Sequence, residues 1–203
     1  LLVIFIARKS GSVTSTNLII AGIIVGSILS SGISFLKSLS GEKVSAIIFW
    51  LLGSLSARGW NHVAVGFPFI IAGIIVCIYF SRDLNILSLG EKEARFLGVN
   101  PRRTYIVFFI AASMITAACV SISGIIGFVG LIVPHLLRFS LTSDNRVLLP
   151  LSALLGGVLL LMADTLSRVL LTVEIPVGVL TTLLGGPFFL YIFIKKNRGI
   201  NPF

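Results

Sequence analysis

The chain has 203 residues, of which 56% are hydrophobic and 11% charged, and its mean hydropathy is +1.09. Soluble domains carry about 25% charged residues, so a water-soluble fold of this size would lack the polar groups to cover its surface. The net charge of +9 does not indicate nucleic-acid binding, because the basic residues form short clusters between apolar runs. Cys77 and Cys119 both lie inside apolar runs, which excludes a disulfide scaffold and favours small buried residues.

Six apolar stretches are each long enough to cross the hydrocarbon core of a bilayer, which takes about 20 helical residues. In chain order they are 17–36, 63–80, 104–123, 124–141, 147–166 and 176–194. A shorter apolar run precedes them and ends at Arg8, as the end of an earlier helix would. The pattern therefore predicts an all-α, polytopic membrane bundle that forms one transmembrane domain over residues 1–203, and we expect the chain to be the C-terminal part of a longer protein.

The basic residues predict how the bundle is oriented. With the Arg8 end inside and one crossing per stretch, 12 of the 16 lysines and arginines lie inside and 4 lie outside. Because cytoplasmic loops carry an excess of Lys and Arg, this split predicts a cytoplasmic C-terminus.

Two connecting segments have internal patterns of their own. Residues 44–52 predict a short helix at the membrane interface, with Trp50 and Trp60 as anchors at the headgroup level. Residues 81–103 are the most polar part of the chain, and their pattern predicts two short amphipathic helices around Gly90. The apolar face of each short helix must meet either the membrane surface or a groove on another protein.

Small residues recur within the spans. Gly26 and Ser30 are four residues apart in the first span, which suits either close helix packing or a weakly polar wall beside a pathway. Near the end of the chain, Gly185-Gly186-Pro187 predicts a distorted helix, because proline lacks a backbone donor. Broken helices in transporters often border the substrate path.

Few residues suit catalysis or ion coupling. Two histidines, His62 and His135, are too few for a histidine metal centre and are interpreted as structural. A membrane hydrolase would have to use Ser123 with His135, but the chain has no G-x-S-x-G motif. Asp164 is the one acidic residue within a span and can pair with Arg168 at i, i+4. A stand-alone ion-coupled carrier that uses Asp164 stays the alternative to transport driven by another subunit.

Four ordered motifs extend over residues 84–194. They are Leu89-Gly90-Glu91 with Ala94, Leu97 and Gly98; the run from Gly124 to Arg138; Asp144-Asn145-Arg146 continuing to Asp164; and Glu174 to Gly178 followed by Gly185-Gly186-Pro187. Together they resemble the FecCD-type permeases, which are membrane subunits of ABC importers for iron complexes, haem and vitamin B12. Residues 1–83 resemble that family more loosely.

The resemblance implies a fold of about ten transmembrane helices, of which this chain holds the later ones. It implies a permease subunit that is not itself an enzyme, with ATP and Mg²⁺ bound by a separate ATPase on the cytoplasmic side and no cofactor or metal in this chain. Its further implied partners are an extracytoplasmic binding protein, a second permease copy and membrane lipid. The implied location is the cytoplasmic membrane of a bacterium or archaeon. Iron-siderophores are the favoured substrate, with haem, cobalamin and oxyanions as alternatives.

The resemblance also implies roles for individual residues. A coupling segment, residues 84–100, would receive the ATPase through Leu89, Gly90, Glu91, Ala94, Leu97 and Gly98. A cytoplasmic gate and the pathway would involve Thr14, Ser15, Thr16, Asn17, Gly26, Ser30, Gly185, Gly186 and Pro187. Arg168 would meet the binding protein, while Gly127, Gly130, Pro134, His135, Arg138 and Asp164 would be structural.

Overall fold

The computed structural model describes residues 15–39, 44–169 and 175–197, together with Val3 and Ile6. The regular structure of these residues is helical, so the predicted all-α class is confirmed. In chain order the helices are α1 (Ser15–Leu39), α2 (Val44–Leu51), α3 (Trp60–Tyr79), α4 (Ser81–Leu87), α5 (Glu91–Phe96), α6 (Pro101–Ser123), α7 (Val129–Ser140), α8 (Asn145–Val169) and α9 (Val177–Asn197). The predicted short helix before Gly53 and the predicted pair around Gly90 are α2, α4 and α5.

Four of these helices, α1, α3, α6 and α8, are long and apolar enough to cross a membrane. Two more, α7 and the apolar part of α9 at Val177–Tyr191, are shorter. The helix predicted over 124–141 is therefore reduced to the 12 residues of α7. At 1.5 Å per residue, α7 is about 18 Å long, which is less than the roughly 30 Å of the hydrocarbon core.

The chain divides into two compact units, residues 1–48 and 49–203. In the first unit, the small-residue face of α1 is open: an added Cβ at Gly22 or Gly26 would meet no atom within 4 Å. In the second unit, α3 and α6 pack antiparallel, with Gly66 against Ile122 and Gly73 against Ile115. Glycine lets helix backbones approach closely in lipid, which explains its place in this interface.

A second packing layer joins α7 and α8 in the same unit. Val133 and Leu137 of α7 and Leu148 of α8 form a buried cluster. Partly buried hydrophobic residues surround this cluster, namely Val129, Leu151 and Leu159. Because α7 is too short to bury much surface alone, its position depends on this cluster.

Helix α7 begins at Val129 rather than at the predicted Gly124, because three chain segments meet just before it. We call Gly53, Gly124 and Gly178 the Gly53 junction. The Ser54 N–H donates to Ser123 O at 2.8 Å, and the Gly178 N–H donates to Gly53 O at 3.1 Å. Gly53 and Gly124 have φ of 71° and 72°, in the left-handed region that favours glycine. A Cβ on any of the three glycines would overlap backbone atoms of a neighbouring segment. The helical path therefore stops at Ser123.

The chain resumes as a helix after Phe128, which has φ of 65°. Gly185 of α9 lies directly against the Phe128 side chain, so no larger residue fits there. Helix α9 runs from Val177 to Asn197 without a break, and Pro187 lies inside it. The close contact with Phe128 explains the glycine at position 185, and the distortion predicted for the Gly185-Gly186-Pro187 motif stays a prediction.

Candidate functional site

The predicted coupling segment, residues 84–100, contains the second half of α4, a turn and α5. Gly90 has φ of 126°, which places it in a conformation that L-residues rarely adopt. Its carbonyl accepts a hydrogen bond from the Ala94 N–H at 3.0 Å, so Gly90 begins α5. A side chain at position 90 would meet the Glu93 carboxylate. Glycine is thus required by the backbone here, independently of any partner.

The end of α5 carries a Schellman motif. The Val99 N–H donates to Ala94 O at 2.9 Å and the Gly98 N–H donates to Arg95 O at 3.1 Å, with Gly98 at φ of 80°. Asn100 then caps α6, because its Oδ1 accepts from the Arg103 N–H at 3.3 Å. Pro101 follows at the first helical position, where its missing donor costs nothing. Local hydrogen bonds therefore give the segment a defined shape.

The segment exposes large apolar side chains. Leu89, Phe96 and Leu97 are 64%, 92% and 60% exposed, whereas Ala94 is fully buried at 0%. Ala94 is therefore the residue through which α5 packs, and the three large residues are exposed on the segment; we call Leu89, Phe96 and Leu97 together the exposed patch. Phe96 was missing from the predicted site residues. Its place beside Leu97 in a short, charged helix was the signal that could have identified it.

Four side chains attach the segment to the bundle. We call Asn85, Arg138, Asp144 and Asn145 the Asn85 junction. Asn85 Nδ2 donates to Asp144 Oδ1 at 2.5 Å, and Asn85 Oδ1 accepts from Asn145 N at 2.9 Å and Asn145 Nδ2 at 2.8 Å. Arg138 Nη2 donates to Asn145 Oδ1 at 3.1 Å. The junction therefore links α4, the end of α7 and the start of α8.

Asp144 also caps α8. Its Oδ1 accepts from the Arg146 N–H at 2.9 Å, and its carbonyl accepts from the Leu148 N–H at 2.9 Å. The Arg146 N–H bond is the main cause that lowers the pKa of the Asp144 carboxyl below its usual value, and the Asn85 amide lowers it further. The carboxylate therefore stays ionised at neutral pH, as the junction requires.

At the end of α8, Asp164 and Arg168 form the predicted pair. Arg168 Nε lies 2.9 Å from Asp164 Oδ2, and Arg168 Nη2 lies 3.3 Å from Asp164 Oδ1. The pair is bidentate, with the Arg168 side chain 45% exposed and that of Asp164 19% exposed. Next to it, Ser167 Oγ donates to Ile175 O at 2.7 Å, which ties the end of α8 to the start of the α9 segment.

The residues considered for catalysis do not form a hydrolase site. Ser123 Oγ donates to Cys119 O at 2.9 Å, and His135 Nδ1 lies 3.1 Å from Leu131 O. The His135 ring also packs edge-on against Phe189. Each side chain thus contacts its own helix backbone, and no hydrogen bond joins Ser123 to His135 in the described part of the chain. Among the described residues, no group of three His, Cys, Asp or Glu side chains could hold a metal ion.

The remaining predicted residues are spread over the chain. Gly26 and Ser30 line an open groove on α1 with Ile23, Ser27, Ser31 and Ser34. Thr14 lies outside the described residues, and Ser15, Thr16 and Asn17 are described only as the first turn of α1. A Cβ added at Gly127 would lie 3.7 Å from Thr182 Oγ1, and one added at Gly130 would meet no atom within 4 Å. Pro134 is inside α7.

Comparisons with known proteins give one consistent result. The sequence model of the FecCD transport family matches residues 1–195. The chain is 42% identical over 199 residues to the uncharacterized ABC transporter permease YvrB of Bacillus subtilis, covering 97% of this chain and 56% of that protein. It is 43% identical over 192 residues to the cobalamin import permease BtuC of Halobacterium salinarum, covering 95% and 52%.

A hemin transport permease, HmuU of Yersinia pestis, is 38% identical over 198 residues, covering 97% of this chain and 59% of that protein. Among solved structures, a metal-chelate type ABC transporter in an inward-facing conformation has a TM-score of 0.85 and 35% identity. That match covers 96% of this chain and 62% of the solved chain. The chain spans about half the length of the curated relatives it matches.

Proposed function

Since the chain belongs to the FecCD transport family, we propose that it forms the later transmembrane part of an ABC importer permease. The proposed substrate is an iron-siderophore or a similar metal-bearing compound such as haem or cobalamin. Named relatives support that class, because they include permeases for cobalamin, hemin and Fe(3+)-citrate. A molybdate permease is also similar, at 40% identity, so an oxyanion is the second candidate. ATP and Mg²⁺ bind to a separate ATPase subunit.

The observation that carries this proposal is the exposed patch on the coupling segment. Leu89, Phe96 and Leu97 project from a segment whose backbone is fixed by the Schellman motif and the Asn85 junction. A membrane-surface helix needs no such fixed shape, and α5 lacks the excess of basic residues that binds a helix to an anionic bilayer, because Lys92 and Arg95 are balanced by Glu91 and Glu93. A groove on another protein suits a rigid apolar patch with a charged rim. We therefore assign the patch to the ATPase.

The mechanism follows from the two ends of the bundle. A loaded binding protein docks outside near Arg168, while ATP binding draws the ATPases together against the coupling segments of two permease copies. The displaced segments tilt the spans between outward-open and inward-open states. The substrate passes along a weakly polar wall that includes Gly26 and Ser30, which need not bind it tightly. The C-terminus is cytoplasmic, as the distribution of Lys and Arg supports.

The geometry of Asp164 counts against the ion-coupled carrier. A carboxylate that couples ions must exchange its partner during transport. The Asp164 carboxylate instead contacts the Arg168 guanidinium through both oxygens on the same helix. That contact suits a structural pair at a helix end.

The test is co-purification of the full-length permease with the ATPase in mild detergent. Phe96→Ser removes the most exposed side chain of the patch. Its matched control is Trp60→Ser, because Trp60 is 85% exposed. Trp60 is the first residue of α3, whereas the coupling segment follows the last residue of that helix. We expect the unaltered protein and the Trp60 variant to retain the ATPase and the Phe96 variant to lose most of it. Absence of any ATPase from the unaltered protein would contradict the importer function.

The substrate class is tested with liposomes that contain the permease and the ATPase. Ferric citrate, a ferric hydroxamate siderophore, hemin, cyanocobalamin and molybdate are each offered with a matching binding protein. We expect ATP-dependent accumulation of one metal chelate. Uptake that needs no ATP and is abolished by Asp164→Asn would instead support the carrier.

A further inference from the structure

We propose, on the basis of the proposed function, that Asn85 is a positioning residue that makes the coupling segment move as one body with α7 and α8. The Asn85 junction is then the link through which movement of the segment reaches the bundle. Asn85 does not contact the ATPase in this proposal, and it acts through Asp144 and Asn145.

Asn85 uses both ends of its amide. Its Nδ2 donates to the Asp144 carboxylate, and its Oδ1 accepts two hydrogen bonds from Asn145. The partners lie 59 and 60 residues away along the chain, and Asn145 is buried. Such a set of bonds fixes both distance and orientation, because hydrogen bonds weaken steeply when they are bent.

The other side-chain hydrogen bonds of α4 and the turn are local. Ser81 Oγ donates to Ile78 O, and Ser88 Oγ donates to Asn85 O. Apolar contacts such as that of Ala94 resist separation but have little directionality. Asn85 therefore supplies the directional attachment between the segment and the α7–α8 corner.

Helix α7 connects this attachment to the rest of the bundle. Its last turn carries Arg138, which donates to Asn145. Its first residue follows Phe128, which packs against Gly185 of α9. Contiguous contacts therefore run from Asn85 through α7 and α8 to α9, and they provide a route by which a displacement of the segment is passed on.

The hydrogen bond between Asn85 and Asp144 can be broken by a substitution that keeps the size of the side chain. Asn85→Asp places a carboxylate against the Asp144 carboxylate and removes the donor between them. The exchanged pair, Asn85→Asp with Asp144→Asn, puts a donor back between the two positions and removes the contact between two carboxylates. The amide at position 144 donates to the carboxylate at position 85 and gives up the Arg146 N–H bond, because a single atom, Asp144 Oδ1, accepts both bonds in the native protein. The carboxylate at position 85 still accepts from Asn145.

The experiment uses the full-length permease with its ATPase in nanodiscs, with Cys77 and Cys119 replaced by alanine. Spin labels at Lys92 in α5 and Ser140 in α7 report the distance between the two elements. We expect ATP with vanadate to leave this distance unchanged in the protein with native Asn85, since the elements move together. In Asn85→Asp we expect a shift of about 2 Å or more, the scale of helix shifts in conformational switches. The exchanged pair should abolish that shift.

ATPase binding is measured on the same samples. Binding retained by Asn85→Asp with an unchanged label distance would overturn this proposal alone. Absence of ATPase from the unaltered permease would overturn the proposed function and this proposal with it. If Asn85→Asp does not assemble, Asn85→Ser is measured in the same way. Failure of both variants to assemble would show a folding role only and would also overturn the proposal.

Discussion

The two ends of the bundle are held together by different means. At the Gly53 junction, three backbone segments approach so closely that no side chain fits at Gly53, Gly124 or Gly178. At the Asn85 junction, the contacts are side-chain hydrogen bonds that reach across about 60 residues of chain. Beside it, Leu89, Phe96 and Leu97 project outward.

This difference indicates which end can respond to a partner. Backbone segments in van der Waals contact have one arrangement, because close-packed interiors do not deform continuously. The side-chain hydrogen bonds of the Asn85 junction attach the exposed coupling segment to α7 and α8 without locking backbone segments against one another, so the segment and the two helices can move as one body. We infer that the Gly53 junction is the fixed end and the Asn85 junction is the end where movement enters.

The largest effect is expected at the fixed end. Gly124→Ala puts a Cβ into the Trp50 carbonyl at a φ of 72°. Left-handed strain and overpacking together should destabilise the protein by about 3 kcal/mol or more. Gly157→Ala is the control, because an added Cβ there meets nothing within 4 Å. Thermal unfolding in detergent measures both variants. Equal melting temperatures for Gly124→Ala and Gly157→Ala would show that the close backbone approach at the Gly53 junction does not hold that end of the bundle.

A smaller loss is expected at the other end. Asn145→Ala removes a buried side chain that bonds Asn85 and Arg138, which should cost about 1–3 kcal/mol. Asn61→Ala is the matched control, since Asn61 is exposed in the first turn of α3. Thermal unfolding again gives the comparison. A loss as large as that of Gly124→Ala would mean that the two junctions contribute equally to the stability of the fold.

Variants of Asp164 and Arg168 should show whether this pair contributes to stability or to docking of the binding protein. The pair is partly exposed, so Asp164→Asn and Arg168→Gln should each change stability by less than about 1 kcal/mol. Affinity for the binding protein, measured on the full-length permease in nanodiscs, should fall with Arg168→Gln but not with Asp164→Asn. An equal fall for both variants would show that the pair, rather than Arg168, is what the binding protein recognises.

The smallest effect concerns pH. The pKa of Asp144 is lowered in the folded protein, so ionised Asp144 stabilises the fold above the unfolded-state pKa. That contribution is lost as pH falls through the lowered folded-state pKa. We therefore expect the melting temperatures of native protein and Asp144→Asn to differ by a constant amount from pH 8 to pH 5 and to converge only below about pH 4. Convergence near pH 6 would contradict the lowered pKa.

Local patterns predicted the features that depend on neighbours in sequence. Apolar length predicted six membrane helices, of which α7 and the apolar part of α9 are shorter than a full span. The charge pattern around Gly90 predicted α4 and α5, and the i, i+4 spacing predicted the Asp164–Arg168 pair. The roles assigned to Leu89 and Leu97 stay predictions.

The features that depend on distant contacts were not predictable in this way. Residues 124–128 contain no proline and are apolar, so they suit a helix until Gly53 and Gly178 are placed beside Gly124. Asn85 is one polar residue among several in its segment, and its partners are distant in the chain. Phe96 was missed although its place beside Leu97 in a short, charged helix was a signal, and its exposure of 92% identifies it in the structure.

The most direct test of the account is site-specific photo-crosslinking in the assembled transporter. A photoreactive phenylalanine replaces Phe96 in one sample and Trp60 in another, and both are irradiated with the ATPase present. The account predicts an adduct between the permease and the ATPase from position 96 and none from position 60. No adduct from position 96, or equal adducts from both positions, would contradict the assignment of the coupling segment as the ATPase-binding surface.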